Sequence, residues 1–276
     1  MDRISALRNV EDAIGAFEAG DIDLATLEER VVGAVRTYAT EFDDDTGQSA
    51  YRAHGDDRAD GLVVAAKGGH NDESHNHNDL GSFVVHVDGE SLLTDLGSPV
   101  YDADFFSDRR YEYLVARSLG HGVPYVNGTE QAAGEEYAAT VTERTDGDDA
   151  DTFALDLAGA YPEEAGLSSL TRALTLDRTR ERLRIEDEAT FADVDNEFVE
   201  VLVSYDPIAA WEDGLAVTGE RGEATIEVDP APAEVEVERL EEAVHENDVW
   251  RARLSYSPVD EIVVTLDVTP GLPEGR

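Results

Sequence analysis

Three of the chain's seven histidines, His70, His75 and His77, fall within eight residues in the stretch GGHNDESHNHNDLGSF. In a sequence this poor in histidine, imidazole chemistry is expected here. On an extended segment side chains alternate between faces, so His75 and His77 point one way and Asn76 and Asn78 the other. Two imidazoles side by side make half of a metal site, provided other ligands converge on them. The next candidates are Asp95, eighteen residues beyond His77 in LLTDLGSPVY, and His121, twenty-six further on in SLGHGVPYVNG. A carboxylate flanked by Leu93 and Leu96 is poorly hydrated and needs a cation or N–H donors. His77, Asp95 and His121 around one ion, with water or a fourth group completing the shell, suit zinc. The bland alternative is equally physical: surface histidines without metal, and Asp95 as a turn acid that accepts a backbone N–H. His54, His86 and His245 have no such company and are expected at the surface.

The elements that must hold these residues change character along the chain. Over residues 2–42, Ile4, Leu7, Val10, Ile14 and Phe17 recur at helical spacing. Gly20 interrupts, and Asp21 or Asp23 is placed to cap a second helix carrying Leu24, Leu27, Val31, Val35 and Tyr38. The polar run Glu41 to Gln48 marks a boundary, and from residue 48 to 276 the apolar period is two. Strand-like runs are expected at 61–66, 81–87, 137–143, 152–157, 170–176, 182–186, 198–203, 224–228, 233–237, 251–256 and 261–268, with turns at Asp88-Gly89, Asp146-Gly147-Asp148, Asp213-Gly214 and Arg221-Gly222. In Glu238 to Glu246 a short helix and an exposed loop are both open. The fold class expected is all-β, an antiparallel β-sandwich of many short strands behind a short N-terminal helical segment. Asp95 would then follow a hairpin whose turn is Val87-Asp88-Gly89-Glu90, which brings it back past His77.

Composition removes several function classes. The 276 residues include 63 Asp and Glu against 21 Lys and Arg, a formal net charge of −42. A surface of that sign repels nucleic acid and anionic membranes, so neither is an expected partner. The 41% hydrophobic content argues against wholesale disorder. Cysteine is absent, which excludes thiolate catalysis, disulfides and Cys-type zinc sites. No run of 18 apolar residues offers a membrane helix. The opening MDRISALRNVEDAIGAF lacks the apolar core of a signal peptide, so the chain reads as cytoplasmic only as written and its compartment is left open. Lys67 is the only lysine. An acidic surface with arginine as almost the sole base is the composition of a halophilic protein, hydrated and soluble in concentrated salt.

From His70 to Gln131, the stretches GGHNDESHNHNDLGSFVVHVDGESLLTDLGSPVY, FFSDRRYEY and ARSLGHGVPYVNGTEQ resemble the β-domain of the heparinase II/III-like polysaccharide lyases. The resemblance implies a two-layer β-sandwich that follows a helical toroid, with the active site in the cleft between them. It implies β-elimination on a uronate-containing polysaccharide, in which the C5 proton is removed and the 4-linked sugar departs. By motif position, His75 matches the histidine that faces substrate, and it would neutralise the carboxylate or take part in proton transfer. His77, Asp95 and His121 match zinc ligands that hold the cleft wall. Asn76 and Arg110 are the candidate substrate-binding residues, and Asn76 and Asp79 would brace the turn by side-chain-to-backbone hydrogen bonds. Arg109 and Arg117 share the possibility of holding an anionic sugar group, against the alternative of pairing with carboxylates. Tyr101 and Tyr111 are either sugar donors or sandwich residues with one wet edge.

The chain also departs from the family. Only about forty residues of helical pattern precede the sandwich. The family's catalytic tyrosine, and its asparagine or histidine, have no match here, and Gly122 stands where an asparagine commonly follows the third metal histidine. A separate helical toroid chain is therefore an expected partner for full activity. The alternative is a non-catalytic carbohydrate-binding or structural sandwich with a structural zinc. A cupin-type oxygenase, which also begins with a His-x-His pair, is disfavoured because Gly81 and Ser82 occupy the place of its glutamate.

Overall fold

The computed structural model describes residues 50–54, 61–72, 76–97, 104–105, 107, 109–244 and 247–272. The two expected N-terminal helices, His75, Tyr101 and His245 lie outside the described residues. Five strands come first: β1 (Ala50–His54), β2 (Val63–Lys67), β3 (Gly69–Asn71), β4 (Phe83–Val87) and β5 (Glu90–Leu93). All but β3 form a small sheet in the order β1-β2-β4-β5. The β4–β5 turn is the expected one, with Asp88 at φ 51° and Gly89 at φ 82°. Two successive positive φ values define the turn that matches strand twist, and an Asp-Gly pair adopts it at low cost.

Three 3₁₀ turns follow (Arg110–Glu112, Leu114–Ala116 and Ser118–Gly120), and then β6 (Tyr125–Val126). The next strands are β7 (Gly134–Asp146), β8 (Ala150–Asp156), β9 (Leu167–Asp177), β10 (Arg182–Phe191) and β11 (Asn196–Ser204). The chain continues through β12 (Ile208–Trp211), β13 (Gly214–Thr218), β14 (Glu223–Asp229), β15 (Glu234–Val244), β16 (Asn247–Val259) and β17 (Glu261–Pro270). Nine of these strands make one sheet, ordered β12-β13-β14-β17-β10-β9-β8-β7-β3. Four make another, ordered β15-β16-β11-β6. The pairings within both are antiparallel.

The main core lies between the faces of these sheets. Phe153, Leu155, Leu174, Leu183, Ile185, Val264 and Leu266 from the large sheet meet Phe198, Leu202, Ala252 and Leu254 from the smaller one. This is the all-β sandwich expected from the period-two runs. Every expected run falls on or overlaps a strand. β11 is apolar almost throughout because it is buried on both faces. Its Val199, Val201 and Val203 turn outward into a second cluster with Leu96, Phe105, Val115, Ala116 and Val249. The 3₁₀ segment is thereby pinned to the outside of the sheet.

Residues 238–244 are neither helix nor loop but the end of β15. Cross-strand charge pairs decide this, because Glu238 meets Arg251, and Arg239 meets Asp248, across the β15–β16 hairpin. Strands β1, β3, β6, β12 and β13 were not among the expected runs, and β5 was expected only as the returning strand of the Asp88-Gly89 hairpin. All six have five residues or fewer, too short to set a period.

Candidate metal centre and adjoining surface

His77 and Asp79 sit on the loop between β3 and β4, and Asp95 follows β5 directly. His121 follows the third 3₁₀ turn in an extended conformation, four residues before β6. One ligand atom each from His77, Asp79, Asp95 and His121 lies within 4.8 Å of all the others. The rings of His77 and His121 are 5.2 Å apart between centroids. The three residues expected to share an ion are therefore brought together. Asp79 joins them where a brace was expected.

The donor chemistry fits a metal ion. His121 is fully buried, and its Nε2–H donates to the Val115 carbonyl at 2.8 Å. A carbonyl only accepts, so this bond fixes the ring's orientation and aims Nδ1 at the cluster. There Nδ1 lies 3.3 Å from Asp95 Oδ2, yet it has no aligned hydrogen-bond partner. A buried nitrogen left in that state beside two carboxylates and a second imidazole is what a cation would complete. Asp95 also accepts the Gly97 N–H at 2.7 Å, so one of its oxygens does serve as a turn acceptor.

The charges follow from the same geometry. Burial strips water from the His77 imidazolium and His121 opposes it, so its pKa falls to about 4 and the ring is neutral at pH 7. Burial alone would raise Asp95, but contact with His121 and the Gly97 N–H brings it down to about 2. Burial works against a charged His121 too. Asp95 and Asp79 outweigh it and hold the pKa above its ordinary value.

What braces the site carries no spacing signal. Asn78, and not Asp79, ties the loop down: its N–H donates to Ala116 O at 3.1 Å and its Nδ2 to Gln131 O at 3.1 Å. Gln131 in turn clamps Leu80 through both ends of its amide, at 2.9 and 2.7 Å. Ser118 Oγ bridges the two, donating to Asn78 O and accepting the Gln131 N–H. Asn76 makes one weak bond of the expected kind, from Nδ2 to His77 O at 3.3 Å. The Asp79 side chain is instead paired with Lys67, the sole lysine.

A buried guanidinium supports both ligand loops from behind. Arg172 on β9 donates through one terminal nitrogen to Gly81 O at 2.9 Å and Gly122 O at 2.5 Å. Gly81 lies two residues past Asp79, and Gly122 directly follows His121. The remaining N–H groups hold Asp187 on β10 and Glu200 on β11.

Beside the cluster, Arg110 donates to the Asn76 carbonyl and stacks on Phe105, 4.7 Å from the ring centroid. Among the described residues it forms no ion pair, and its buried Nε has no partner. Arg109 and Arg117, by contrast, pair with Asp104 and Glu112 and with Glu130. Tyr111 shares the Asn76 neighbourhood. Burial pushes its phenol up, with Arg110 and a hydrogen bond from Asn76 pulling the other way. His70 and His86 lie away from the ligand set: His70 is on β3 and its Nδ1 accepts the Asp72 N–H, and His86 is on β4 against Ser91.

Comparison with known proteins bears on this arrangement. The family model described as "Heparinase II/III-like, C-terminal" matches residues 40–264. A family of unknown function, DUF7854, matches residues 1–77. No curated protein matches the sequence. Among solved structures, the heparan sulfate lyase HepC from Pedobacter heparinus is similar at a TM-score of 0.70 and 12% identity, covering 98% of this chain and 42% of that one. A heparinase III, the BT4657 gene product with methylated lysines, gives 0.65 and 13%, covering 82% of this chain and 35% of that one. At such identity the likeness is one of fold, and the chain spans about two-fifths of the length of these structures. By the family model's span over most of its length, the chain belongs to the heparinase II/III-like C-terminal family.

Proposed function

We propose that the chain is the β-sandwich part of a polysaccharide lyase that cleaves uronate-containing polymers by β-elimination. In that reaction a base takes the C5 proton, its electron pair forms the C4–C5 double bond, the C4–O bond breaks and the departing oxygen is protonated. Neutralising the uronate carboxylate acidifies C5–H, so the reaction needs a fixed cation or donor there. Arg110 is suited to that task, since its guanidinium is held by stacking and has no carboxylate of its own among the described residues. Asn76, bonded to Arg110 through its carbonyl, adjoins it on the substrate side. His75 is assigned the proton transfer or carboxylate contact by its place beside Asn76 in the family motif.

His77, Asp95 and His121 would hold zinc, with Asp79 as a fourth oxygen donor. When bound, the ion would neutralise the carboxylates and lock the three segments into one rigid wall. The convergence of these side chains from three separate segments, with Arg110 alongside and without an ion pair among the described residues, is the observation that carries this reading. A helical toroid is the partner proposed for full activity.

The test is to incubate the purified chain, with and without a helical lyase domain, with uronate polymers in concentrated salt and follow ultraviolet absorbance of the unsaturated product. Activity that vanishes in His75→Ala and Arg110→Ala is expected. An inert but zinc-loaded protein in both mixtures would replace this reading with a structural sandwich.

A further inference from the structure

Away from the metal cluster, β12 on the edge of the large sheet approaches the β15–β16 hairpin. Between the connection leading into β12 and that hairpin is a cavity of about 540 Å³ lined by Tyr205, Pro207, Arg239, Asn247, Asp248 and Trp250. We infer that this cavity is a subsite for one anionic pyranose unit of the polysaccharide, bound at its carboxylate by Arg239 and on its ring face by Trp250. The inference rests on the reading of the chain as a polysaccharide lyase and extends it to a second contact with the polymer.

The chemistry of the lining points this way. Arg239 and Trp250 are direct cross-strand partners, so their side chains share one face of the hairpin. Both bonds from Arg239 to Asp248 run to a single carboxylate oxygen, from Nε at 2.9 Å and from one terminal nitrogen. The other terminal nitrogen makes no described bond, on a residue that lines the cavity. A carboxylate is the group that matches such an edge. The half-buried indole of Trp250 offers an apolar plate at low entropic cost, suited to the C–H face of a pyranose. Asn247 supplies amide donors and an acceptor for hydroxyls. The volume falls within the roughly 300–1,000 Å³ usual for small-ligand sites.

One feature ties this cavity to the loop of the metal cluster. Tyr205 donates its hydroxyl to the Leu96 carbonyl at 2.8 Å, one residue past Asp95. Its phenol is pushed up by burial and by the charge of Asp95 itself. The same ring thus walls the cavity and braces the loop bearing a metal-cluster residue. The molecule also contains an internal contrast. A second cavity of about 380 Å³ holds Trp211 with Asp213, Glu227, Asp229 and Asp267. Four carboxylates line it with no arginine among the lining residues, whereas the proposed subsite sets Arg239 against the single carboxylate of Asp248. The chain has two tryptophans, one in each cavity, so each reports on its own.

The experiment titrates the full chain with a desulfated heparan hexasaccharide, its sulfated parent and neutral cellohexaose, reading tryptophan emission in Trp211→Phe and Trp250→Phe backgrounds. A saturable change is expected in Trp211→Phe and none in Trp250→Phe. Arg239→Gln, an exposed change, is expected to weaken the desulfated hexasaccharide about tenfold while metal content stays constant. Equal affinity for cellohexaose, binding only of the sulfated sugar, or affinity undiminished in Arg239→Gln would overturn the inference. The two readings fail separately. Product formation with a silent Trp250 removes the subsite alone, whereas a responding Trp250 without elimination product in any mixture removes the lyase reading alone.

Discussion

At the residue scale, the three ligands expected from side-chain type are found together, but their protonation is not legible in their spacing. His77 titrates near 4 and Asp95 near 2, whereas His121 is raised above its ordinary 6.5. Zinc ligation requires a neutral imidazole, so the metal must displace the proton that Asp95 and Asp79 help His121 to keep. The sign follows directly. Below the His121 value the proton competes and affinity falls with falling pH; above it the competition ends. Calorimetry at about pH 6 in buffers of different ionisation heat should find close to one proton released per zinc, since His77 is already neutral there. Release of two would show that His77 holds a proton and that its burial has been misjudged. Metal analysis should find zinc lost in His77→Ala, Asp95→Ala and His121→Ala and retained in His75→Ala. Equal loss in all four would remove the division between metal ligands and substrate contact. Asp79 was expected as a turn brace and not as a ligand, because it resembles any turn acid in a chain with 63 acids. The one available hint was its position two residues from His77, the same-face spacing of an extended segment.

At the scale of elements, long strands announced themselves by alternation and by Asp-Gly or Gly-containing turns. The braces did not, because Asn78, Ser118, Gln131 and Arg172 act on backbone carbonyls and amides, which any sequence provides. Arg172 is the strongest case. All five of its N–H groups are used, on two sheets and two loops, in a site with no access to water. Two ionised carboxylates beside one guanidinium would leave net negative charge in the core, which burial resists. Glu200 resolves this by staying protonated: burial and the neighbouring Asp187 raise its pKa well above the ordinary carboxyl value. Its Oε1 has no donor within reach, and the side-chain hydrogen bond with Asp187 favours the protonated form. A folded-state pKa above the unfolded one means that the folded protein binds the extra proton. The stability this contributes is complete below the unfolded value near 4.3 and is lost as pH rises through the folded value. Denaturant titrations across that range should show a slope of up to about 1.4 kcal/mol per pH unit that is absent from Glu200→Gln. The same slope in both proteins would mean that Glu200 is ionised in the fold. Arg172→Leu should cost about 3–5 kcal/mol, since it strands Asp187 and frees both ligand loops.

For the molecule as a whole, charge dominates. With 63 acidic and 21 basic side chains, each base can pair with an acid and leave 42 carboxylates without a cation. The described arginines already follow this pattern, as in Arg178 with Asp151, Arg180 with Asp177, Arg184 with Asp267 and Arg253 with Glu236. Salt weakens both the repulsion among the excess acids and the attraction within exposed pairs. The pairs are worth about 0–1 kcal/mol each at such surfaces, and screening them removes little. The repulsion is collective, acting over every unpaired acid within a screening length. That length shrinks from about 10 Å at 0.1 M to about 3 Å at 1 M. The expected net effect is a fold that gains stability as salt is added. The thermal midpoint should rise steadily from about 0.1 M to about 1 M KCl, with most of the gain before screening saturates. Replacing ten exposed acids on the large sheet by their amides should flatten that dependence. The Arg172 cluster, fully buried, should contribute nothing to it, so the salt gain should persist in Glu200→Gln. A midpoint that is flat or falls with KCl would mean that the surface pairs outweigh the excess charge, and that the composition is not an adaptation to salt.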